Sequence, residues 1–506
     1  MFATGNLTLG DVLAHRADQD GARTGLIWEA TDGRWTELSY TEIEVGAGRL
    51  AGGLAAAGVG HGDRVVLHMT NRPEFVVALF ALARLGAVAV PTIASYAVDE
   101  LRYVLEHAEV GLVLCDPGRR EVADRAAKLC ATPPRVVGTD VLADELDADP
   151  PPAADVAAGD AALLMYSSGT TARPKGIVLS HQALLLAGET NAQHQRLQPA
   201  DRSLCVLPLF HINAMCISMM ANMITGSTLV LTEAFDAGRY WSQVRTYAIT
   251  VGSLVANPIR QLLQQPGRPT DRTHALRLML FGMPLTAGQI ETFERRHGIP
   301  LITMWGMTED GATGTRSPLY LPRRPSSVGL PMLGIDVGIF GDDDRELGPG
   351  EIGECRFVGG PRLDRYYREE AATAATNRDG RFCTGDTMTV DKQGYFHFLD
   401  RTKDVIKVKA ENVASAEVER VLITHPSVSD AAVVGVPDAV RDERIVAFVL
   451  LEPGHGLDVE ALRAHCGESL ARFKVPHEVH AVADMPRTSI GKIRKSELRE
   501  KARGGR

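Results

Sequence analysis

Between residues 63 and 115, short runs that are apolar at every position alternate with stretches that are apolar only at helical spacing. Asp63 to His68 is the first such run, read as a strand. Asn71, Arg72 and Pro73 then open a helix, with Asn71 as its cap and Pro73 in its first turn. That helix carries Phe75, Val76, Leu79 and Leu82 and stops at Gly86. A second strand follows from Ala87 to Pro91. Val98, Leu101, Val104, Leu105 and Ala108 mark the next helix, before a third strand from Gly111 to Leu114. Strands that are apolar on both faces need helices on both faces, so the rhythm implies a largely parallel sheet in an α/β protein.

At 506 residues the chain is longer than one hydrophobic core can serve, which implies at least two domains. A Pro-, Ala- and Asp-rich stretch from Asp147 to Asp160 reads as a surface linker. The alternation then resumes, with strands at Ala161 to Tyr166, around Cys205 to Pro208, at Thr228 to Thr232 and at Leu278 to Phe281. Ala214 to Leu231 reads as a buried helix running into a strand. Short strands and turns from Asp336 to Val358 suggest a small β subdomain. The last hundred or so residues form an α+β unit, with helices at Ser415 to Thr424 and Val459 to Ala471 and strands at Ala431 to Val436 and Ile445 to Leu451. The boundary is placed at the charged tetrad Asp400 to Lys403, giving an N-terminal domain of residues 1–400 and a C-terminal domain of residues 401–506.

Composition removes several function classes. Hydrophobic residues at 45% and charged residues at 23% exclude a disordered or fibrous chain. Acidic residues exceed basic ones, 63 to 54, which argues against a coat for nucleic acid or anionic membrane. Seven scattered cysteines with no CxxC pair read as reduced, buried thiols of a cytoplasmic protein. The first twenty residues lack the basic and apolar segments of a signal peptide, and no stretch reaches the roughly 18 apolar residues of a membrane span.

Four motifs carry chemistry. Tyr166 to Gly176 (YSSGTTARPKG) follows a strand and leads to a helix beginning near Ser180. The hydroxyls of Ser167, Ser168, Thr170 and Thr171, the close backbone approach allowed by Gly169, and the cation of Lys175 suit a cradle for phosphate. The order of residues differs from the GxxxxGK[ST] loop. Met304 to Glu309 (MWGMTE) offers Trp305 as a face for a purine, with Gly306 beside it, Thr308 as a hydroxyl and Glu309 as a hard oxygen ligand for Mg2+. Thr384-Gly385-Asp386 places a carboxylate able to accept two ribose hydroxyls. Pro486 to Lys492 (PRTSIGK) presents a cation on a glycine-containing tip.

These motifs, in this order, resemble the adenylate-forming superfamily of acyl-CoA synthetases, stand-alone adenylation domains and luciferases, over nearly the whole chain. Stretches such as LHMTNRPEFVVALFALARLGAVAVP, LPLFHIN, RDE at 441–443 and ARFKVP are most similar to crotonobetaine/carnitine–CoA ligases and their relatives. The resemblance implies a large domain of parallel sheets and a small mobile one, with ATP, Mg2+ and CoA as reactants. Trp305 and Gly306 would line the adenine, Thr308 would touch the α-phosphate, and Glu309 would hold the metal directly or through water. Asp386 and Arg401 would meet ribose or phosphate, and Lys403 would be the hinge for domain rotation. Lys492 would be the catalytic cation of adenylation. His211 would border and gate the acid site; Gly282, Met283 and Pro284 would separate it from the adenine pocket; Val255, Met304 and Cys216 would line it.

Two departures bear on the second partner. Met283 is larger than the family's usual residue, implying a shortened or reshaped acid cavity, and Lys409-Ala410 replaces glycines beside the pantetheine channel. Ala172 stands for a common glycine in the phosphate loop. The expected activity is therefore an AMP-forming ligase passing an acyl group to CoA. The alternatives are ATP-dependent nitrite activation for diazotisation of an aryl amine, or loading of a carrier-protein thiol. A binding protein that has lost catalysis would lack Lys492 or Glu309, and both are present. Neither nucleic acid nor membrane is expected as a partner, and the chain is expected as a monomer or homodimer.

Overall fold

The computed structural model describes residues 5–152, 154–166, 174–282, 285–324, 326–401, 404–408, 411–438, 442–487 and 493–504. The chain divides into two compact units: Met1–Ser167, Pro174–Asp336 and Val358–Ala375 in one, and chiefly Val337–Phe357 and Thr376–Arg506 in the other. The architecture is α/β, as the alternation requires.

The first unit is built on two sheets. In the seven-stranded one, Arg135–Gly138, Leu112–Cys115, Arg64–His68, Val88–Pro91 and Ala161–Tyr166 run parallel in that order, and Gly176–Ser180 and Arg365–Tyr366 add antiparallel at one edge. The nine-stranded sheet has a parallel centre: Leu301–Trp305, Leu278–Gly282, Val251–Val255, Arg202–Cys205, Thr228–Thr232 and Thr24–Glu29. Thr315–Arg316 and Leu330–Pro331 extend it antiparallel beyond Leu301–Trp305. Strands such as Val88–Pro91, Leu112–Cys115 and Thr228–Thr232 are buried at every position, which is why they read as unbroken apolar runs.

Several local expectations change. The helix Pro73–Leu85 starts at Pro73 as expected, but Arg72 precedes it as the cap and makes no side-chain capping bond. Asn71 is used elsewhere. Its amide donates to the carbonyls of Leu207 (2.9 Å) and Thr232 (3.0 Å) and accepts from the Leu209 N–H (2.8 Å). It thus ties the turn after Arg64–His68 to the ends of two strands of the other sheet. The strand expected at Cys205 to Pro208 lies earlier, at Arg202–Cys205. Asn213–Met220 is π-helical before it continues as Ala221–Thr225, capped by Gly226 in the left-handed region and followed by Thr228–Thr232.

The segment read as a surface linker is strapped down where it begins. The Ala148 N–H bonds the Arg49 carbonyl at 3.3 Å, and Arg49 pairs with Asp147. This close approach is possible because the helix Tyr40–Ala56 has Gly52 and Gly53 on that side, where a Cβ would overlap the backbone of Asp149 and Leu146.

The second unit has two five-stranded sheets. One contains Ile335–Phe340, Ile352–Gly359, Arg381–Val390 and Asn377–Arg378, with Phe396–Arg401 paired to Arg381–Val390. The other contains Glu411–Val413, Ile406–Val408, Asp442–Leu451 and Val428–Asp438, with Glu478–Ala481 parallel to Asp442–Leu451. The helices Ser415–Ile423 and Val459–Ser469 cover one face through Val418, Leu422, Leu462 and Cys466. All seven cysteines are free thiols, and only Cys383 is not fully buried. Among the described residues no helix is long and apolar enough to cross a membrane.

The close approach at Gly53 predicts opposite effects for two substitutions on one helix. Gly53→Ala forces backbone apart and is expected to cost about 2 kcal/mol, seen as a lower thermal midpoint. Gly46→Ala, whose Cβ would meet only Val77 at 3.5 Å, is expected to gain up to about 1 kcal/mol from helix propensity. Equal midpoints for the two variants would contradict the strap.

Candidate active site

The strands Ala161–Tyr166 and Gly176–Ser180 are antiparallel neighbours, with Tyr166 opposite Gly176. The Ser/Thr-rich motif is therefore a hairpin connection. The helix expected near Ser180 is His181–Gln195, with Ser180 as its cap, and the strand Gly176–Ser180 lies between the motif and that helix. Ser167, Ser168, Gly169, Thr170, Thr171 and Ala172 lie outside the described residues. The stems of the hairpin are held by aromatic groups. The Tyr103 hydroxyl donates to the Pro174 carbonyl (3.1 Å), and Tyr166 Oη lies 2.8 Å from His107 Nδ1. Tyr367 packs edge-on against His107, with its own N–H on the Gly176 carbonyl (2.7 Å).

Lys175, at the second stem, lies with its Nζ 5.1 Å from the centre of the Tyr366 ring. The hydroxyl of that ring donates to Glu309 Oε1 at 2.9 Å. The Leu363 N–H bonds the Glu309 carbonyl at 2.6 Å, so this segment grips Glu309 by backbone and side chain together. One tyrosine thus aligns a cation and a carboxylate that are far apart in sequence. Tyr366 was not singled out from the sequence; it belongs to a two-residue strand, too short to show any periodicity.

Glu309 and Thr308 form the short 3-10 turn Thr308–Asp310 after the strand Leu301–Trp305. Both are half-buried. No protein group bonds Thr308 Oγ1 or Glu309 Oε2 among the described residues, so both point-of-contact atoms are available to a ligand. No cluster of three His, Cys, Asp or Glu side chains able to hold a metal occurs among the described residues. A single available carboxylate oxygen beside a hydroxyl suits Mg2+, which is commonly held by one or two protein carboxylates with phosphate oxygens and water completing its shell.

Gly306 and Trp305 are fixed by close packing: a Cβ at Gly306 would stand 2.8 Å from the Ala312 backbone, and one at Gly314 would overlap the Trp305 ring. Asp310 holds the turn. Its Oδ1 accepts from the N–H groups of Met307 (2.9 Å) and Thr313 (3.2 Å), while its buried Oδ2 has no partner among the described residues. Burial, aided by the Glu309 charge and opposed by those backbone bonds, pushes its carboxyl up to about 7.

The residues expected at the acid site are brought together at the carboxyl ends of adjacent parallel strands. Val255 is opposite Gly282, and Met304 follows Thr303, which is opposite Phe281. A Cβ at Gly282 would be 3.5 Å from Met304 Cε. His211 sits in the turn leading into the π-helix, with its ring edge-on to Phe210. Cys216 is fully buried within that helix, and burial lifts its thiol far above the usual range. Met283 and Pro284 lie outside the described residues.

In the second unit, Asp386 and Arg401 are register partners on adjacent strands, with Arg401 Nε 2.8 Å from Asp386 Oδ1. Asp386 is thus on a strand, one residue after Gly385 with its positive φ of 66°. The neighbouring acids are engaged elsewhere: Asp404 pairs with Arg499, and buried Asp400 accepts from the Ser415 N–H (2.6 Å), the Ser415 hydroxyl and the Ala416 N–H. Lys403, Lys409, Ala410 and Lys492 lie outside the described residues. The flanks of the C-terminal motif are anchored. Arg487 forms a bridge with Ile493 and an ion pair with Asp430, and half-buried Lys495 lies 2.8 Å from Glu419.

Residues 13–367 match the family described as AMP-binding enzyme, and residues 417–492 match the AMP-binding enzyme C-terminal domain. The chain is 35% identical over 521 aligned residues to a crotonobetaine/carnitine–CoA ligase of Salmonella paratyphi A, covering 99% of this chain and all of that one. Its fold is similar to ATP-bound MatB from Rhodopseudomonas palustris, with a TM-score of 0.90, 30% identity, and coverage of 98% and 99% of the two chains. It is likewise similar to an O-succinylbenzoate coenzyme A synthetase of Bacillus subtilis in complex with AMP, with a TM-score of 0.88, 27% identity and 99% coverage of both.

The raised Asp310 carboxyl fixes a pH dependence. Because the folded state favours its protonated form, the penalty for ionising it is absent below pH 4 and grows as pH rises to about 7. Asp310→Asn removes that penalty. The thermal midpoint of the variant, relative to the parent, is expected to rise between pH 4 and pH 7 and then level off. A difference that is flat across this window would contradict the assignment.

Proposed function

We infer the reaction from the fact that this chain belongs to the AMP-binding enzyme family: it is an ATP-dependent, AMP-forming ligase that adenylates a carboxylic acid and passes the acyl group to the thiol of CoA. The single observation that supports it best, beyond the family match, is the Lys175–Tyr366–Glu309 arrangement beside the phosphate-loop stems.

In the first half-reaction a carboxylate oxygen attacks the α-phosphorus of ATP, and the bond to the β-phosphate oxygen breaks. The products are acyl-adenylate and pyrophosphate. Lys175 and residues 167–171 would orient the phosphates, with Thr308 on the α-phosphate. Glu309 would hold Mg2+, which supplies charge neutralisation on the polyphosphate when bound. Trp305, Gly306 and the Gly282–Pro284 loop would receive the adenine, and Asp386 with Arg401 the ribose. Lys492 would stabilise negative charge developing between the carboxylate and the α-phosphate.

In the second half-reaction the CoA sulfur bonds the acyl carbon, the mixed-anhydride C–O bond breaks, AMP leaves, and the thiol proton passes to solvent. The segment from Arg401 onward would rotate about Lys403 between the two steps, withdrawing Lys492. The protein would work in the cytoplasm, where ATP and CoA are available.

The test is ATP-dependent AMP and pyrophosphate release across a panel of acids, run with CoA, with nitrite plus an aryl amine, and with neither. Release requiring an acid, with thioester formed, supports the reading; release requiring nitrite replaces its second step. Lys492→Ala is expected to slow pyrophosphate release on the order of a hundredfold or more, while thioester formation from supplied acyl-adenylate persists. Undiminished pyrophosphate release would remove Lys492 from the chemistry. Tyr366→Phe is expected to slow adenylation on the order of tenfold and to raise the Mg2+ concentration needed for half-maximal rate. An unchanged Mg2+ requirement would limit Tyr366 to packing.

A further inference from the structure

The row formed by Val255, Gly282 and Met304 does not end at Met304. On the next strand, Arg316 is in register with Met304, so the two side chains share a face of the sheet at the same level. Arg316 is 3% exposed. Its Nη2 donates to Asn191 Oδ1 at 2.5 Å and lies 3.9 Å from Met304 Sδ. Asn191 is itself oriented by donating to the Ala187 carbonyl (2.8 Å), which fixes its oxygen toward the guanidinium.

The remaining nitrogens, Nε and Nη1, are buried and bond nothing among the described residues. No carboxylate among the described residues pairs with this guanidinium. The neighbouring titratable group is His194, on the same helix as Asn191. Burial, together with the Arg316 charge, lowers His194 to about 4 and keeps it neutral, and its Nε2 accepts from the Leu333 N–H at 2.9 Å. Burial alone lowers Arg316 to about 9, which leaves it charged at neutral pH.

A buried guanidinium with open N–H groups and no anion is unfavourable in the free protein, and it becomes favourable when a planar anion reaches it. Its place in line with Met304, Gly282 and Val255 makes the acid substrate the molecule that can bring that anion. We propose that Arg316 receives a second carboxylate of the substrate, so that this enzyme acts on dicarboxylic acids, activating one carboxylate while Arg316 holds the other. The proposal rests on the ligase reading above and narrows its substrate class. Asn191 is the positioning residue for the guanidinium. Monocarboxylic acids of the same shape leave Arg316 unpaired and are rejected for that reason.

The experiment compares AMP release for aliphatic and aromatic dicarboxylates of increasing length with that for their monoamides and methyl-terminated isosteres. The parent is expected to favour one dicarboxylate over its isostere by at least about a hundredfold in kcat/KM. Arg316→Met should abolish that preference, chiefly through KM, and Arg316→Lys should keep part of it. A second readout needs no turnover: the preferred dicarboxylate should raise the thermal midpoint of the parent and not that of Arg316→Met. If a monocarboxylic acid is activated as well as any dicarboxylate, and folded Arg316→Met leaves the discrimination unchanged, the proposal is overturned while the ligase reading stands. If no acid of either class releases AMP, the ligase reading fails. AMP release that requires nitrite and disappears in Arg316→Met would assign the anion as nitrite and overturn the dicarboxylate.

Discussion

The placement of Lys175 and Glu309 depends on a strand of two residues, Arg365–Tyr366. Its backbone joins the edge of the seven-stranded sheet, and the Tyr366 hydroxyl reaches the carboxylate that follows a strand of the nine-stranded sheet. Each sheet alone would present one of the two charged groups. Only with the ring between them are a cation and an acidic oxygen held against one side chain. Asn71 makes a similar tie with three backbone hydrogen bonds across the same two sheets. Both ties use polar groups, which specify a single geometry where apolar packing would tolerate several.

The fold was legible where a local pattern determines the structure. Runs such as Leu112–Cys115 are buried on both faces, so their apolar continuity marks central strands before any contact is known. The same logic fails where tertiary contacts decide. Asn71 has the right type and position for a helix cap, but three backbone groups of another sheet claim its amide. The segment after Leu146 has a linker's composition, yet the glycines on the helix Tyr40–Ala56 let its backbone come down and pack.

The candidate site divides the same way. Its short linear motifs were readable because the phosphate and metal chemistry proposed for them would demand particular residue types close together, as in Thr308-Glu309. Asp386 and Arg401 could each be singled out, but their ion pair follows from strand register, which no motif encodes. Tyr366 and Arg316 stayed hidden for a further reason. Nothing about a tyrosine or an arginine in sequence says what stands opposite it. The importance of Arg316 lies in what its surroundings lack, and that is a property of Asn191, His194 and Met304, not of the arginine.

Asp310, an acid, and Arg316, a base, lie six positions apart, each buried with a polar atom left open, and no ion pair joins them. A chain under pressure for stability alone would pair them or replace them with apolar groups of similar volume, which is often neutral or favourable. The two are instead separated by the turn through Gly311 and Gly314, and each meets different chemistry. Burial, with a smaller contribution from the Glu309 charge, raises the Asp310 carboxyl. Arg316 stands in register with Met304, at the end of the row proposed to line the acid. On the proposed reading, the cation that accompanies the nucleotide would ease the burial of the first, and an anion on the acid that of the second. Binding energy gained at these two points would be available to align the reacting carboxylate between them.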